Sequence, residues 1–348
     1  MKKLHIGYQA LSHDLSHPGD RRRLVFWAKN RGHTITTDLT EPVDVIVLSE
    51  RADFGAFPKK AAGVPIVFDL VDAYLAKENS LEDWLRGTSK VLTGQLSGTP
   101  KPFTKFVQNL CTSASAVICS SPEQMKTISP FSQNVHVILD SHDELPMLPF
   151  NSKTANGLRK VLWEGMPATL AGVGQIAPAL KATKTSPDIE LDFVTDPNYF
   201  RLLGKFFKLE TSSLLKHSLG DIYPYSKIIP WSRENLVAAA KDSNLAIIPI
   251  NLTSSMQYLK PENRLLIMWR LGLPCLTSPS PAYIRVAKAA DVDTVCYSTI
   301  DWTEKIDQIL GHVDLAEAIV SSGQSYLKEN HNSELILEKW DRAFQSVL

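Results

Sequence analysis

Two α/β domains with parallel sheets are predicted for this chain by three features of its sequence. Short apolar runs that suit buried strands alternate with segments of helical period, and near-continuous apolar runs are the mark of parallel strands covered on both faces. The stretches AAGVPIVFD (61–69) and RLGLPCLTS (270–278) share one construction, a helix end, Gly-x-Pro and an apolar strand, in different halves of the chain. A polar, proline-bearing stretch, residues 141–157, separates halves that are each long enough for a core.

In the first half, Leu4, Ile6 and Tyr8 alternate with polar neighbours, so residues 3–9 suit a strand. The polar loop SHDLSHPGDRRR leads to a helix from about Asp20 to Asn30, ended near Gly32, and His33 to Thr37 resumes as a strand. Arg21, Arg22 and Arg23 are expected to face water at the start of that helix. Further strands are read at 43–49, 65–70, 114–120 and 134–140. Between Asp72 and Cys111 the pattern is less regular: a helix begins near Glu82, GQLSGTPKP is a loop, and FTKFVQNLCTSA is helical again.

The second half opens with a strand at 159–163, followed by Glu164, Gly165 and Met166-Pro167-Ala168. A strand is expected at 190–194, a helix at 196–208, and a strand at 226–230 whose end carries Trp231. Ser232 is a good N-cap for the next helix, and the apolar run 245–250 is a strand whose loop, 251–259, enters the segment KPENRLLIMWRLGLPCLTS. There Pro261 fits a first helical position, Leu265, Leu266, Met268, Trp269 and Leu271 recur at helical spacing, and Gly272 ends the helix. Helix, short strand and helix follow in PAYIRVAKAA, TVCY and DWTEKIDQIL, and two terminal helices break near His331-Asn332.

Composition narrows the function. Lys plus Arg and Asp plus Glu are both 37, so nothing asks for a nucleic-acid partner. Cys111, Cys119, Cys275 and Cys296 show no C-x-x-C pairing and read as buried thiols of a reducing compartment. The start has no apolar run of signal-peptide length and the chain no apolar run of transmembrane length, so a soluble, cytoplasmic protein is expected.

The chemistry-bearing residues cluster by position. Lys260, Glu262, Asn263 and Arg264 form the first turn of a helix entered from a strand-end loop; free N–H groups and a positive dipole end beside two cations suit a phosphate. The other reading is a solvated first turn in which Glu262 complements the dipole. Gly165 follows a strand, but Gly165, Gly172 and Gly174 lack G-x-G-x-x-G spacing, which argues against a nicotinamide dehydrogenase. His13 and His17 stand four apart, but Pro18-Gly19 follows at once and no third ligand is evident, so no metal site is expected. His13, Asp14 or His17 could act as general base, as could Asp72, which lies with Asp69 at a strand end; solvated loop residues and, for Asp72, an N-cap are the bland alternatives.

The order of helix, polar strand-end loop, helix opening with Lys and Glu/Asn, then Gly-Leu-Pro and a strand resembles the donor-binding domain of GT-B glycosyltransferases. It is similar to the glycosyltransferase family 4, or group 1, type without that family's paired Glu motif: the two positions counted back from Gly272 hold Ile267 and Leu259. The resemblance implies two Rossmann-like domains facing each other across a cleft, with the last helix returning to the first domain. The N-terminal, acceptor-side domain would be 1–148 with 323–348, the linker 149–157, and the nucleotide-sugar domain 158–322. It also implies sugar transfer from a nucleotide-sugar donor to an unidentified acceptor hydroxyl, with neither metal nor cofactor, the donor being a substrate. Donor contacts would come from Gly165, Trp231, Lys260, Glu262, Asn263 and Arg264, and His17, Asp72 and Asp14 would be the catalytic candidates. A sugar-nucleotide 2-epimerase and a catalytically silent binding protein on the same scaffold are the alternatives.

Overall fold

Aliphatic and β-branched runs in the first half become strands of one parallel sheet. They are β1 (His5–Gln9), β2 (Thr34–Thr36), β3 (Val45–Leu48), β4 (Ile66–Asp69), β5 (Ala116–Cys119) and β6 (Val135–Val137), in the order β2-β1-β3-β4-β5-β6. Every residue of β3, β4 and β5 is buried, because the sheet is covered on both faces. Alternate residues go to opposite cores. Tyr8, Val45, Val47, Val67 and Ile118 pack with Trp27, while Ile46, Leu48, Phe68 and Val117 pack with Phe54, Phe103 and Phe106. Full burial of each such side chain stabilises by about 1.5–3 kcal/mol. The covering helices include α1 (Pro18–Arg21), α2 (Leu24–Arg31), α3 (Leu81–Leu92), α4 (Phe103–Ser113) and α5 (Pro122–Ile128).

This computed structural model describes residues 2–57, 63–76, 80–151, 159–183, 189–201 and 207–348. It divides into two units: Met1–His142 with Leu259–Pro261 and His331–Leu348, and Asp143–Tyr258 with Glu262–Asn330. Residues 152–158, most of the expected linker, lie outside the described residues.

The second unit repeats the logic. Strands β7 (Arg159–Glu164), β8 (Ile189–Thr195), β11 (Ser226–Pro230), β12 (Leu245–Ile248) and β13 (Cys275–Thr277) form a parallel sheet in the order β11-β8-β7-β12-β13. Around it lie α6 (Ala171–Ala182), α7 (Thr211–Leu219), α8 (Arg233–Asp242), α9 (Ser255–Tyr258), α10 (Asn263–Arg270), α11 (Pro281–Ala289), α12 (Thr299–Gly311) and α13 (Val313–Asn330). Two parallel α/β sheets of this kind are Rossmann-like domains, as the sequence predicts. Gly272 ends α10 in the left-handed region at φ 75°, and a Cβ there would meet the Pro149 carbonyl oxygen at 2.4 Å, so both conformation and space require glycine.

The last helix, α14 (Ser333–Gln345), belongs to the first unit, as expected. Its Trp340 and Phe344 rings stack on Trp27 at centroid distances of 6.0 and 4.2 Å. Trp27 Nε1 donates to Asp341 at 2.8 Å.

Three expectations need correction. Where a helix is expected over 196–208, the described residues form strands instead, β9 (Asn198–Arg201) pairing antiparallel with β10 (Phe207–Glu210), and 202–206 lie outside the described residues. Tyr199 and Phe200 follow Pro197, and aromatic residues suit a ribbon better than the helical period suggested. The single helix at 20–30 is two, α1 and α2, broken at Arg22-Arg23, and Arg23 does not face water. Its guanidinium is fully buried: Nη2 donates to Asp69 at 2.6 Å, Nε to Asp69 at 2.9 Å, and Nη1 to Asp140 at 3.0 Å and the Ile138 carbonyl at 2.8 Å. Finally, Pro261 is not a first helical residue, because α10 begins at Asn263 with Glu262 at its N-cap.

Candidate functional site

In the second unit the strand order reverses between β7 and β12, and open α/β sheets bind ligands beyond the carboxyl ends of their strands at such a point. Glu164 ends β7, the loop leaving β12 leads to α9 and then α10, and Trp231 follows β11. These ends are tied together. Trp231 Nε1 donates to a Glu164 carboxylate oxygen at 3.0 Å. Arg264, in the first turn of α10, places Nε 3.5 Å from the other Glu164 oxygen, donates from Nη2 to the Glu164 carbonyl, and lies over the Trp163 ring at 5.3 Å. Among the described residues its Nη1 donates to nothing, so one edge of the guanidinium remains for an anion.

Of the other residues chosen from the sequence in this unit, Glu262 is the most committed. Its carboxylate is 3% exposed and accepts from both terminal nitrogens of Arg285 at 3.1 Å, which fixes it in place. Asn263 keeps a buried Oδ1 with no partner among the described residues. The Gly165 N–H is already used, donating to the Val194 carbonyl at 3.3 Å. The nearby helix α6 starts close to the end of β12 because Gly172 has no side chain: a Cβ there would meet the Pro249 carbonyl oxygen at 2.4 Å.

Lys260 lies in the short segment that belongs to the first unit. Its ammonium is 3.7 Å from Asp72 Oδ1. Asp72 follows β4 and neighbours Glu50, which follows β3. The Asp72 N–H donates to a Glu50 carboxylate oxygen, Tyr74 Oη donates to the other at 3.2 Å, and the Arg86 guanidinium lies over the Tyr74 ring at 4.6 Å. Burial and the negative charge of Asp72 push the Glu50 carboxyl up to about 8. Burial, then Glu50, also raises the Tyr74 phenol. A carboxyl with a pKa near 8 at the carboxyl edge of a sheet, as Glu50 has, can hold and pass a proton near neutral pH.

The loop after β1 is organised by Asp20, a buried carboxylate that accepts from Tyr8 Oη at 2.7 Å and from the Leu11 and Ser12 amides at 2.8 and 2.9 Å. Within it, Asp14 accepts from Ser16 through both N–H and O–H, and these bonds hold its carboxyl below the usual range. His17 caps α1: Nδ1 accepts from the Gly19 N–H at 3.1 Å. Burial lowers its pKa, so the ring is neutral at pH 7 with its proton on Nε2 and its lone pair already engaged.

The structure thus gathers Trp231 and Arg264 around Glu164, and Glu50 and Lys260 each against Asp72, while Asp14 and His17 are engaged in loop and cap bonds. Glu50, Glu164 as an anchor, and Arg285 are not selected by sequence reasoning. The available signal for the two glutamates is position, since Glu164 ends an apolar strand run and Glu50 stands two residues beyond one. Arg285, in the helix after β13, carries no comparable signal.

No family model matches the sequence, and no curated protein matches it. Solved structures do. HepE of Anabaena, determined in complex with UDP and glucose, superposes with a TM-score of 0.62 at 11% identity, over 99% of this chain and 100% of that one. WaaG, a glycosyltransferase involved in lipopolysaccharide biosynthesis, gives 0.58 at 14% identity, over 96% and 97%. TarM gives 0.60 at 12% identity over 86% of this chain, which spans 54% of TarM. The chain therefore has the GT-B glycosyltransferase fold.

Proposed function

We propose that this chain transfers a sugar from a nucleoside-diphosphate sugar to an acceptor hydroxyl, with the diphosphate held at the carboxyl edge of the second unit's sheet. One observation carries the reading: at the topological switch, Glu164 and Trp163 hold Arg264 with a guanidinium edge left over. Departure of the nucleoside diphosphate leaves negative charge on its terminal phosphate. A cation fixed beforehand stabilises that charge without reorganising when it forms. Arg264 is so fixed, and it supplies positive charge to the departing group from a side chain. Glu262, steadied by Arg285, suits the two ribose hydroxyls as acceptor. Trp231 offers its ring to the donor nucleotide, and the Asn263 amide a further polar contact.

For the acceptor, the general base is Glu50 together with Asp72, in place of His17 or Asp14. A base acts best with its pKa near the working pH, which suits Glu50, whereas the Asp14 carboxylate is too weak a base and the His17 lone pair is occupied. The structural neighbours support the donor class, since HepE was determined with UDP and glucose.

The test is incubation with a panel of nucleotide sugars, following free nucleoside diphosphate and the fate of the sugar by chromatography. Release of nucleoside diphosphate, accelerated by an acceptor glycan or lipid-linked sugar, supports transfer. Interconversion of the donor without acceptor would instead mark a 2-epimerase, nucleotide binding without turnover a silent binding protein, and no binding of any nucleotide would overturn the proposal.

A further inference from the structure

The carboxyl edge of the first sheet holds a phenol between two carboxylates. Tyr74 Oη lies 3.2 Å from Glu50 Oε2 and 3.4 Å from Asp72 Oδ2, and it has one proton to donate. Its neighbours hold it there. The Tyr74 ring meets Phe103 edge-on, at a centroid distance of 5.1 Å and an interplanar angle of 89°. The Arg86 guanidinium covers the Tyr74 ring at 4.6 Å and lies 4.4 Å from the Phe103 ring. Arg86 is placed in turn by α3, which is docked through two other residues. The buried Asp83 carboxylate accepts from the Thr104 N–H at 3.1 Å, and Gly87 lies so close to the next segment that a Cβ would meet the Lys101 carbonyl oxygen at 2.0 Å. On the acid side, Gln124 Nε2 donates to the Leu70 carbonyl at 2.8 Å and to the Asp72 carbonyl at 3.1 Å, which fixes the backbone that carries Asp72.

The two acids divide the requirements of a base between them. Glu50 titrates near 8 because burial and the charge of Asp72 disfavour its ionised form, so it has the affinity to keep a proton. Both its oxygens already accept bonds, one from the Asp72 N–H and the other from Tyr74. Asp72 is the accessible acid: its side chain is 32% exposed, with Oδ1 3.7 Å from the Lys260 ammonium and Oδ2 towards Tyr74. The other charged group that acts on Glu50 is Asp69, whose carboxylate is bound by Arg23. Burial, then Glu50, raises the Tyr74 phenol, so it stays protonated near neutral pH and passes a proton by giving one up as it takes another.

We propose that Tyr74 is a proton relay, carrying the acceptor hydroxyl's proton from Asp72 to Glu50. The inference rests on the reading of this chain as a sugar transferase whose base is Glu50 with Asp72. As the acceptor oxygen bonds to the sugar carbon, the nucleoside diphosphate leaves with the electron pair of the broken bond and the acceptor's proton goes to the Asp72 carboxylate. From Asp72 it passes to Tyr74 Oη while the phenol's own proton passes to Glu50 Oε2. One O–H bond forms as each one breaks, the phenol ends neutral, and Glu50 later releases its proton to water. Arg86 is the positioning residue of the relay.

The test is Tyr74→Phe in the full chain, which keeps the ring's packing and removes only the hydroxyl. Titration of isotope-labelled glutamate carboxyls by NMR needs no turnover. Without the phenolic bond to its ionised form, the acid dissociation constant of Glu50 should fall about threefold or more. With the nucleotide sugar and acceptor that the parent turns over, the alkaline plateau of kcat/KM should fall about tenfold or more at unchanged donor KM, and its pH limb should move up with the NMR midpoint. A ring that serves only packing would leave the plateau at the parent's level, and that result would overturn the relay while the transferase reading stands. An unmoved Glu50 midpoint would overturn it as well. A parent that turns over no donor would overturn the transferase reading and the relay with it.

Discussion

At the scale of single residues, charge placement decides what each side chain can do. Arg23 is the clearest instance: buried between Asp69 and Asp140, it cannot be removed without leaving two acids unpaired. Arg23→Met is expected to destabilise the first unit by about 3–5 kcal/mol in urea unfolding, the usual cost of breaking a buried pair from one side. Nothing in GDRRR distinguishes Arg23 from its neighbours, because its partners lie 46 and 117 residues away in sequence. Glu50 makes a pH prediction. Its carboxyl titrates near 8 when folded and far lower when unfolded, so the native state binds the extra proton between those values. Stability linked to this group is therefore complete below the unfolded value and is lost as pH rises through about 8. The melting temperature of Glu50→Gln should fall less than that of the parent between pH 6 and 9, a range that spans the folded titration. If Glu50 is the base, kcat/KM should rise towards a plateau above about pH 8, and the variant should lose that limb. Parallel melting curves for the two proteins would contradict the assignment.

At the scale of elements, the parallel strands are legible because burial on both faces writes them as unbroken apolar runs: VIVL, IVFD, AVIC and LAII all appear as strands. The helix end at Gly272 is legible for the same kind of local reason, a left-handed residue that glycine supplies. The ribbon of β9 and β10 is not, since its aromatic residues satisfy either period and only pairing decides between them. Half of the site follows the same division. Trp231 and Arg264 can be chosen because strand ends and helix starts are predictable, whereas the Glu262–Arg285 and Glu50–Asp72 pairings join separate elements and leave no local mark. One contact between elements gives a sharp test. Gly172→Ala would drive a methyl into the Pro249 carbonyl and push α6 from the end of β12. Overpacking of this sort costs about 1–3 kcal/mol. Differential scanning calorimetry should show that loss, and an unchanged melting temperature would mean that the two elements yield freely.

At the scale of the whole molecule, two parallel sheets with separate cores supply two carboxyl edges, and each edge carries its own polar cluster. The division of labour proposed here, donor on the second sheet and proton transfer on the first, follows from the chemistry of those clusters: a partly free guanidinium beside an indole in one, and in the other the Glu50 carboxyl with its raised pKa. The similar solved structures show the fold, at 11–14% identity, and leave the site to be read from this chain's own residues. The most direct measurement of the central claim is calorimetric titration of the protein with UDP, GDP and ADP, repeated on Arg264→Ala. Saturable binding of one of the three is expected, weakened at least tenfold in the variant, about 1.4 kcal/mol. Absence of binding to all three, or equal affinity in parent and variant, would contradict the account.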